Sequence, residues 1–272
     1  MGNAVSDRTG NKHSLRRLLL IIVITVTVFL VLAGCFSDKL IFQPPRSGVE
    51  PDKDMTMLQV SPDVKIALLY LPSPSAAYTL LYSHGNGEDL FDLKSFLAGY
   101  SSHGYSILCY DYEGYGASQG KPTEPNTYRD IEAVYRYMTG TLKIPPDKII
   151  LYGRSVGSGP TCFLAEKYPA AGMVLQSPFT STFKVVCPVP LPFDKFPNLQ
   201  RIRNIKMPIL IMHGTLDGVI PFHHGQVLFK AANQPKYFFE VPDADHNDLE
   251  FCAGDNYWLE LDKFIKSLPD KK

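Results

Sequence analysis

Ile149-Ile150-Leu151-Tyr152-Gly153-Arg154-Ser155-Val156-Gly157 is the stretch whose reading decides the fold. A short apolar run rich in β-branched residues ends in Gly-Arg-Ser-Val-Gly, and a helix-compatible segment follows as far as Tyr168. This reads as strand, sharp turn and helix, with a serine at the apex. Such a turn strains the serine backbone and demands that the flanking positions nearly lack side chains, a demand met by Gly153 and Gly157. The hydroxyl is then held clear of the sheet, and the following helix points its N-terminus at the same spot. Glycine and serine also occur in ordinary strand–helix turns, so the surrounding chain must supply the context.

Working outward, strands and helices alternate. Residues 56–60, 65–71, 79–83, 106–111, 149–152, 172–176, 208–213 and 236–241 read as strands. Helical patterns fall at 90–103, 126–140, 155–168, 222–233 and 254–268. Strands spaced by such helices predict an α/β fold, a mostly parallel eight-stranded sheet with helices on both faces. Ligands in such sheets bind beyond the carboxyl ends of the strands, so functional residues belong in the loops there.

A chain of 272 residues with 45% hydrophobic and 20% charged residues has ample core for one large domain. Lys+Arg and Asp+Glu are both 27, so no basic excess points to nucleic acid. The five cysteines are too few and too scattered for a disulfide framework or a zinc site. Cys109 and Cys162 lie in apolar runs and read as buried thiols, while a Cys187–Cys252 pair is allowed but not demanded by spacing.

A serine hydroxyl is a poor nucleophile at neutral pH. It needs a base to take its proton, an acid to orient that base, and donors for the oxyanion. On such a sheet the order along the chain should be serine, acid, histidine. Asp217 follows the buried strand 208–213, between small residues, whereas the rival Asp194 follows no strand. His246, in the loop after strand 236–241, is the one of seven histidines in the right loop. The oxyanion donors are expected from the amide of Val156, at a helix N-terminus, and from that of Asn86 in the glycine-rich His84-Gly85-Asn86-Gly87. No metal or cofactor is called for.

The first 17 residues are polar and basic, with Arg8, Lys12, Arg16 and Arg17 against one acid, Asp7. Residues 18–36 then run LLLIIVITVTVFLVLAGCF, 19 residues, about the minimum for a membrane-spanning helix. The run shows no polar face, and the flanking cations predict that residues 1–17 stay in the cytoplasm while the domain lies outside it. Leu32-Ala33-Gly34-Cys35 also resembles a bacterial lipobox, in which the peptide is cut before a cysteine that then carries lipid. Lipoprotein signal and uncleaved anchor both remain open. Met1-Gly2-Asn3-Ala4-Val5-Ser6 matches the N-myristoylation pattern at Gly2. All three place the protein on a membrane. Residues 37–54 read as an extended lead-in, and residues 55–272 as the catalytic domain.

With these pieces in order the chain resembles an α/β-hydrolase of the serine type, and most of all the Bem46-like group that includes the α/β-hydrolase-domain families 13 and 17. The resemblance runs from about Leu40 to Leu268. Its segments include Tyr82-Ser83-His84-Gly85-Asn86-Gly87, Tyr110-Asp111-Tyr112-Glu113-Gly114-Tyr115-Gly116, Gln176-Ser177-Pro178-Phe179, His213-Gly214-Thr215-Leu216-Asp217 and Asp245-His246-Asn247-Asp248. By the family pattern Ser155, Asp217 and His246 carry over as nucleophile, acid and base, and Asp111 and Tyr115 as a structural turn. Family 17 implies thioesterase action on palmitoylated proteins. This chain departs from it in having an apolar run where that family has a cysteine-rich N-terminus, and is more similar there to family 13. A short, proline-rich cap, residues 185–204, is too small for a large helical lid. The apolar run and the resemblance together imply a membrane-anchored hydrolase of acyl esters or thioesters, with lipidated proteins or lipids as candidate substrates. Its rivals are a peptidase or amidase of the same fold and a non-catalytic binding scaffold.

Overall fold

A computed structural model describes residues 7–187, 189 and 191–269, without the side chains of residues 7–13, 32 and 35. Gly2 lies outside the described residues, as does the side chain of Cys35.

Eight strands form one sheet: β1 (Thr56–Ser61), β2 (Val64–Leu71), β3 (Thr79–Ser83), β4 (Ser106–Tyr110), β5 (Ile149–Arg154), β6 (Gly172–Gln176), β7 (Ile209–Gly214) and β8 (Lys236–Val241). Their order is β1-β2-β4-β3-β5-β6-β7-β8. Strand β2 is antiparallel to β1 and β4, and every other neighbouring pair is parallel. This is the mostly parallel eight-stranded α/β sheet expected from the alternation of elements, and the α/β-hydrolase architecture that the resemblance implied.

The central strands are buried on both faces, which is why they read as continuous apolar runs rather than as alternating ones. The pleat still sorts their side chains. Leu81, Leu151 and Ile211 join one core with α3 (Glu124–Arg136) and α4 (Ser158–Lys167). Leu80, Ile150 and Leu210 join the other, with α2 (Leu90–Ser102) and α8 (Asp255–Lys266). Helix α2 starts on Asp89, whose carboxylate accepts from Asp92 N, and α3 starts on Thr123 with Pro125 in its first turn. Helix α6 (His223–Ala231) packs beside β7 and β8, and the short α5 (Asn198–Arg201) closes the cap.

Two boundaries differ from expectation. The helix expected from residue 254 begins at Asp255 as α8, and a short helix not expected from the sequence, α7 (Leu249–Ala253), precedes it; Gly254, whose φ of +53° lies in the left-handed region, separates the two. The N-terminal apolar run belongs to a longer helix, α1 (Asp7–Ile41), which continues through the first five residues of the expected lead-in, 37–41. Its Ser14–Val31 stretch is long and apolar enough to cross a membrane, and the rest of the chain buries none of it. A helix apolar all round and left bare has no partner in water.

Candidate active site

Ser155 sits between β5 and a single tight helical turn (Ser155–Gly157) that leads into α4. Its φ is +53°, a conformation that non-glycine residues rarely adopt. The glycines around it are required by contact. A Cβ on Gly157 would run into the carbonyls of Ser83 and His84, and one on Gly153 would come within 2.6 Å of Thr161 Oγ1. Strand β5 lies in the middle of the sheet and pairs Gly153 with Ser83 of β3, so the turn rises beside the loop that follows β3.

Asp217 lies three residues beyond β7. Its Oδ1 accepts from Val219 N (3.0 Å) and Ile220 N (2.7 Å). Its Oδ2 faces His246 Nδ1 at 2.8 Å and His213 Nε2 at 3.3 Å. A carboxylate can only accept, so His246 Nδ1 carries hydrogen and Nε2 is left as the acceptor. That Nε2 lies 2.9 Å from Ser155 Oγ. Burial raises the Asp217 pKa, but hydrogen bonds from His213, His246 and Ile220 N outweigh it and hold the group well below the usual carboxylate range. The loop bearing His246 is tied to the Asp217 loop through Leu216 N to Ala244 O (3.0 Å) and Gly218 N to Asp245 Oδ1 (2.8 Å). Ser155, Asp217 and His246 thus form one hydrogen-bonded chain drawn from three strand ends. Asp194 is elsewhere, accepting from Ser181 Oγ and from Phe183 N inside the cap.

The two expected oxyanion donors flank Ser155 in one cleft. Val156 lies in the first helical turn after β5, where backbone N–H groups lack intrahelical acceptors. The Asn86 amide has no acceptor among the described residues. Asn86, Ser155 and Val156 line a cleft of about 370 Å³ with Leu40, Ile41 and Phe179. Most of the remaining wall is valine, isoleucine and phenylalanine, so the space beside the hydroxyl suits a short apolar chain.

Several partners escaped the reading of the sequence. Arg154, buried, forms an ion pair with Glu88, whose other oxygen accepts from Gly85 N (2.7 Å). The same guanidinium donates to Asn247 Oδ1 (3.0 Å) and approaches the His246 carbonyl (3.4 Å). It clamps the β3 loop to the histidine loop from beneath the serine. Its place between Gly153 and Ser155 was a signal only in hindsight, because a variable position in a turn names no partner. His213 backs Asp217, and its Nε2 also donates to the Ile220 carbonyl at 2.8 Å.

Asp111 and Tyr115 support the loop from below. Asp111 accepts from Leu90 N (2.9 Å), and the Tyr115 hydroxyl donates to Asn86 Oδ1 (2.7 Å). Burial raises Asp111 to about 8 and lowers His84 to about 4. Both are therefore largely uncharged at neutral pH, and their 3.5 Å approach is not an ion pair. Cys109, Cys162, Cys187 and Cys252 are all free thiols, the first two buried; burial raises both thiol pKa values, Cys162 to about 12.

The model of the serine aminopeptidase S33 family matches residues 74–195. The chain is similar to human α/β hydrolase domain-containing protein 17B, at 44% identity over 214 residues, 77% of this chain and 74% of that protein. It is similar to mouse domain-containing protein 17C at 41% over 197 residues, 71% of this chain and 61% of that protein. Among solved structures, an esterase of Pyrococcus furiosus superposes with a TM-score of 0.67 at 18% identity, covering 83% of this chain and 99% of the esterase. An esterase domain from Rhodothermus marinus gives 0.60 at 18%, covering 78% and 97%.

Proposed function

This chain belongs to the α/β-hydrolase family, among the α/β hydrolase domain-containing 17 proteins, and from that premise we infer that it is a membrane-anchored hydrolase of acyl esters or thioesters. It is a serine hydrolase; which bond it cuts, and where, is the proposal. The observation that carries it is the pair of distances in the strand-end loops, 2.9 Å from Ser155 Oγ to His246 Nε2 and 2.8 Å from His246 Nδ1 to Asp217 Oδ2.

In this reading Ser155 Oγ attacks the acyl carbonyl as its proton passes to His246 Nε2. Asp217 stabilises the imidazolium and holds the ring in its tautomer. The amides of Val156 and Asn86 receive the oxyanion. The proton then goes from Nε2 to the leaving oxygen or sulfur, leaving an acyl-serine. Water repeats the sequence, giving its proton to Nε2 and its oxygen to the acyl group, and Ser155 is regenerated. The apolar cleft beside Ser155 supports an acyl chain as the group bound.

The bare helix α1 supports a membrane anchor, and the cations at its N-terminal end support an orientation with the domain outside the cytoplasm. Lipidation at Cys35 or Gly2 would add to that anchor or replace it. The substrate is then an acylated lipid or lipidated protein on the same side of the membrane.

A fluorophosphonate probe on the wild type and on Ser155→Ala tests the nucleophile; labelling of the mutant removes Ser155 from the role. The name of the matching family model favours a second reading, an aminopeptidase. A free amine would need a counter-charge, and no carboxylate is among the residues lining the cleft. Faster turnover of aminoacyl amides than of acyl thioesters would decide for it.

A further inference from the structure

The side chain of Asn86 is spoken for on every side. Its Nδ2 donates to the carbonyl of Ile41 at 2.7 Å. Its Oδ1 accepts from the backbone N–H of Gln43 at 2.9 Å and from the Tyr115 hydroxyl at 2.7 Å. Ile41 is the last residue of α1, so its carbonyl is one of those that no intrahelical N–H reaches. The N-terminal helix and the loop after β3 therefore complete each other's hydrogen bonding, 45 residues apart in the chain.

Packing repeats the connection. Ile41 and Phe42 are buried in the domain core, and the Phe42 ring meets Tyr115 (6.5 Å, 83°) and Phe196 (6.0 Å, 76°) edge-on. Asp38 pairs with Lys195 of the cap at 2.6 Å. Just past the helix, Arg46 holds both oxygens of the buried Asp89, at 2.8 and 2.9 Å, where α2 begins. Leu40 and Ile41 share the wall of the cleft that holds Ser155.

We propose that the end of the N-terminal helix is a positioning element of the active site: through the Asn86 side chain it sets the second oxyanion donor, and through Leu40 and Ile41 it forms one wall of the acyl cleft. This rests on the serine hydrolase reading above and adds that anchor and catalytic site are one structural unit. A cut before Cys35 would remove the apolar run but keep Ile41 and its bond to Asn86.

The test uses the full chain in detergent micelles, with p-nitrophenyl acetate and acyl thioesters of two, eight and sixteen carbons. Asn86→Ala keeps the backbone amide and removes its tether. The expected result is a fall in kcat of about 10- to 100-fold, with KM for the shortest ester changed less than threefold. The affinity for a trifluoromethyl ketone should fall in parallel, which loss of ground-state binding alone would not produce. Tyr115→Phe also removes the 3.1 Å bond from Gln43 N to the hydroxyl but leaves the Asn86 bonds to Gln43 N and the Ile41 carbonyl, and should cost only a few-fold. Leu40→Trp, at a residue 62% exposed whose replacement spares the core, should lower the ratio of sixteen- to two-carbon turnover at least tenfold. If Asn86→Ala keeps wild-type kcat and ketone affinity, and Leu40→Trp keeps the chain-length profile, the proposal is overturned while the nucleophile stands. If Ser155→Ala still turns over, the hydrolase reading itself fails.

Discussion

In the proposed mechanism the acid–base half of the site and its oxyanion half are held together in different ways. Asp217 and His246 sit in the loops after neighbouring parallel strands, β7 and β8, and their carboxylate, ring and backbone contacts stay within residues 213–248, apart from the bond to Ser155 and the Arg154 clamp. The oxyanion half is assembled from a distance. The loop at Asn86 is held by the end of α1, by Tyr115 and by the Arg154–Glu88 pair. One half is a product of two adjacent strand ends; the other depends on how the whole chain closes around them. Damage to the first should remove chemistry, and damage to the second should misplace it.

The largest effects are expected in the first half. Ser155→Ala should lower kcat about a million-fold and abolish fluorophosphonate labelling, read by gel fluorescence. Asp217→Asn should cost about ten-thousand-fold by leaving the ring without its orienting acceptor, while KM for a short ester moves little. A loss of less than tenfold would place the orienting role elsewhere, with His213 or Asp245 as the next groups to test.

The oxyanion half should respond more moderately. Arg154→Met should lower kcat/KM about 100-fold by releasing the β3 loop, and Arg154→Lys should recover part of it, since a lysine keeps the charge but not the two-sided reach. Glu88 is left without its partner in the methionine variant. Its side chain is partly exposed, so the cost to stability should be about 2 kcal/mol rather than the full penalty of a buried orphan charge, read by denaturant unfolding. If the Arg154→Met enzyme matches the wild type in kcat/KM, the clamp holds nothing that matters to turnover.

The smallest effect concerns pH and stability. Folded Asp111 keeps its proton up to about 8, where an unfolded aspartate loses it near 3.8. The folded chain therefore binds more protons across that interval, and this group makes stability fall as pH rises. His84 and His224 act in the opposite sense. Burial lowers each to about 4 from 6.5, so the unfolded chain binds more protons between those values and stability rises with pH there. Burial holds Asp130 well above the usual carboxylate range too, so it acts in the same sense as Asp111; stability should fall from about pH 6.5 toward 8, Asp111 contributing about 1–2 kcal/mol of that fall. Asp111→Asn should flatten that alkaline decline in thermal unfolding while keeping an acceptor for Leu90 N. A decline of unchanged slope would assign it to another group.

How far each feature could be read from the chain follows the same division. The strands were visible to within two residues at each end because burial on both faces makes an apolar run that turn residues interrupt. The turn at Ser155 was visible because a positive φ and close backbone contacts leave glycine as the neighbour of choice. The order of serine, aspartate and histidine followed from the sheet. The short helix α7 before Gly254 was missed because five residues are too few to show a helical period.

By itself, then, the sequence determined the parallel sheet, the serine turn, the strand-end loops that hold Asp217 and His246, and an apolar N-terminal run with no polar face. These are local matters: backbone conformation, side-chain volume and the period of burial act over a few residues. Only the tertiary structure decided that α1 continues to Ile41 and caps itself on Asn86, that Arg154 reaches Glu88 and the histidine loop, and that His213 backs Asp217. Except for the last, a four-residue step across a turn, those contacts join residues 45 to 93 positions apart. A polar side chain carries no mark of its distant partner; the packing of the core chooses it, by bringing some buried donors and acceptors within 3 Å and leaving others out of reach.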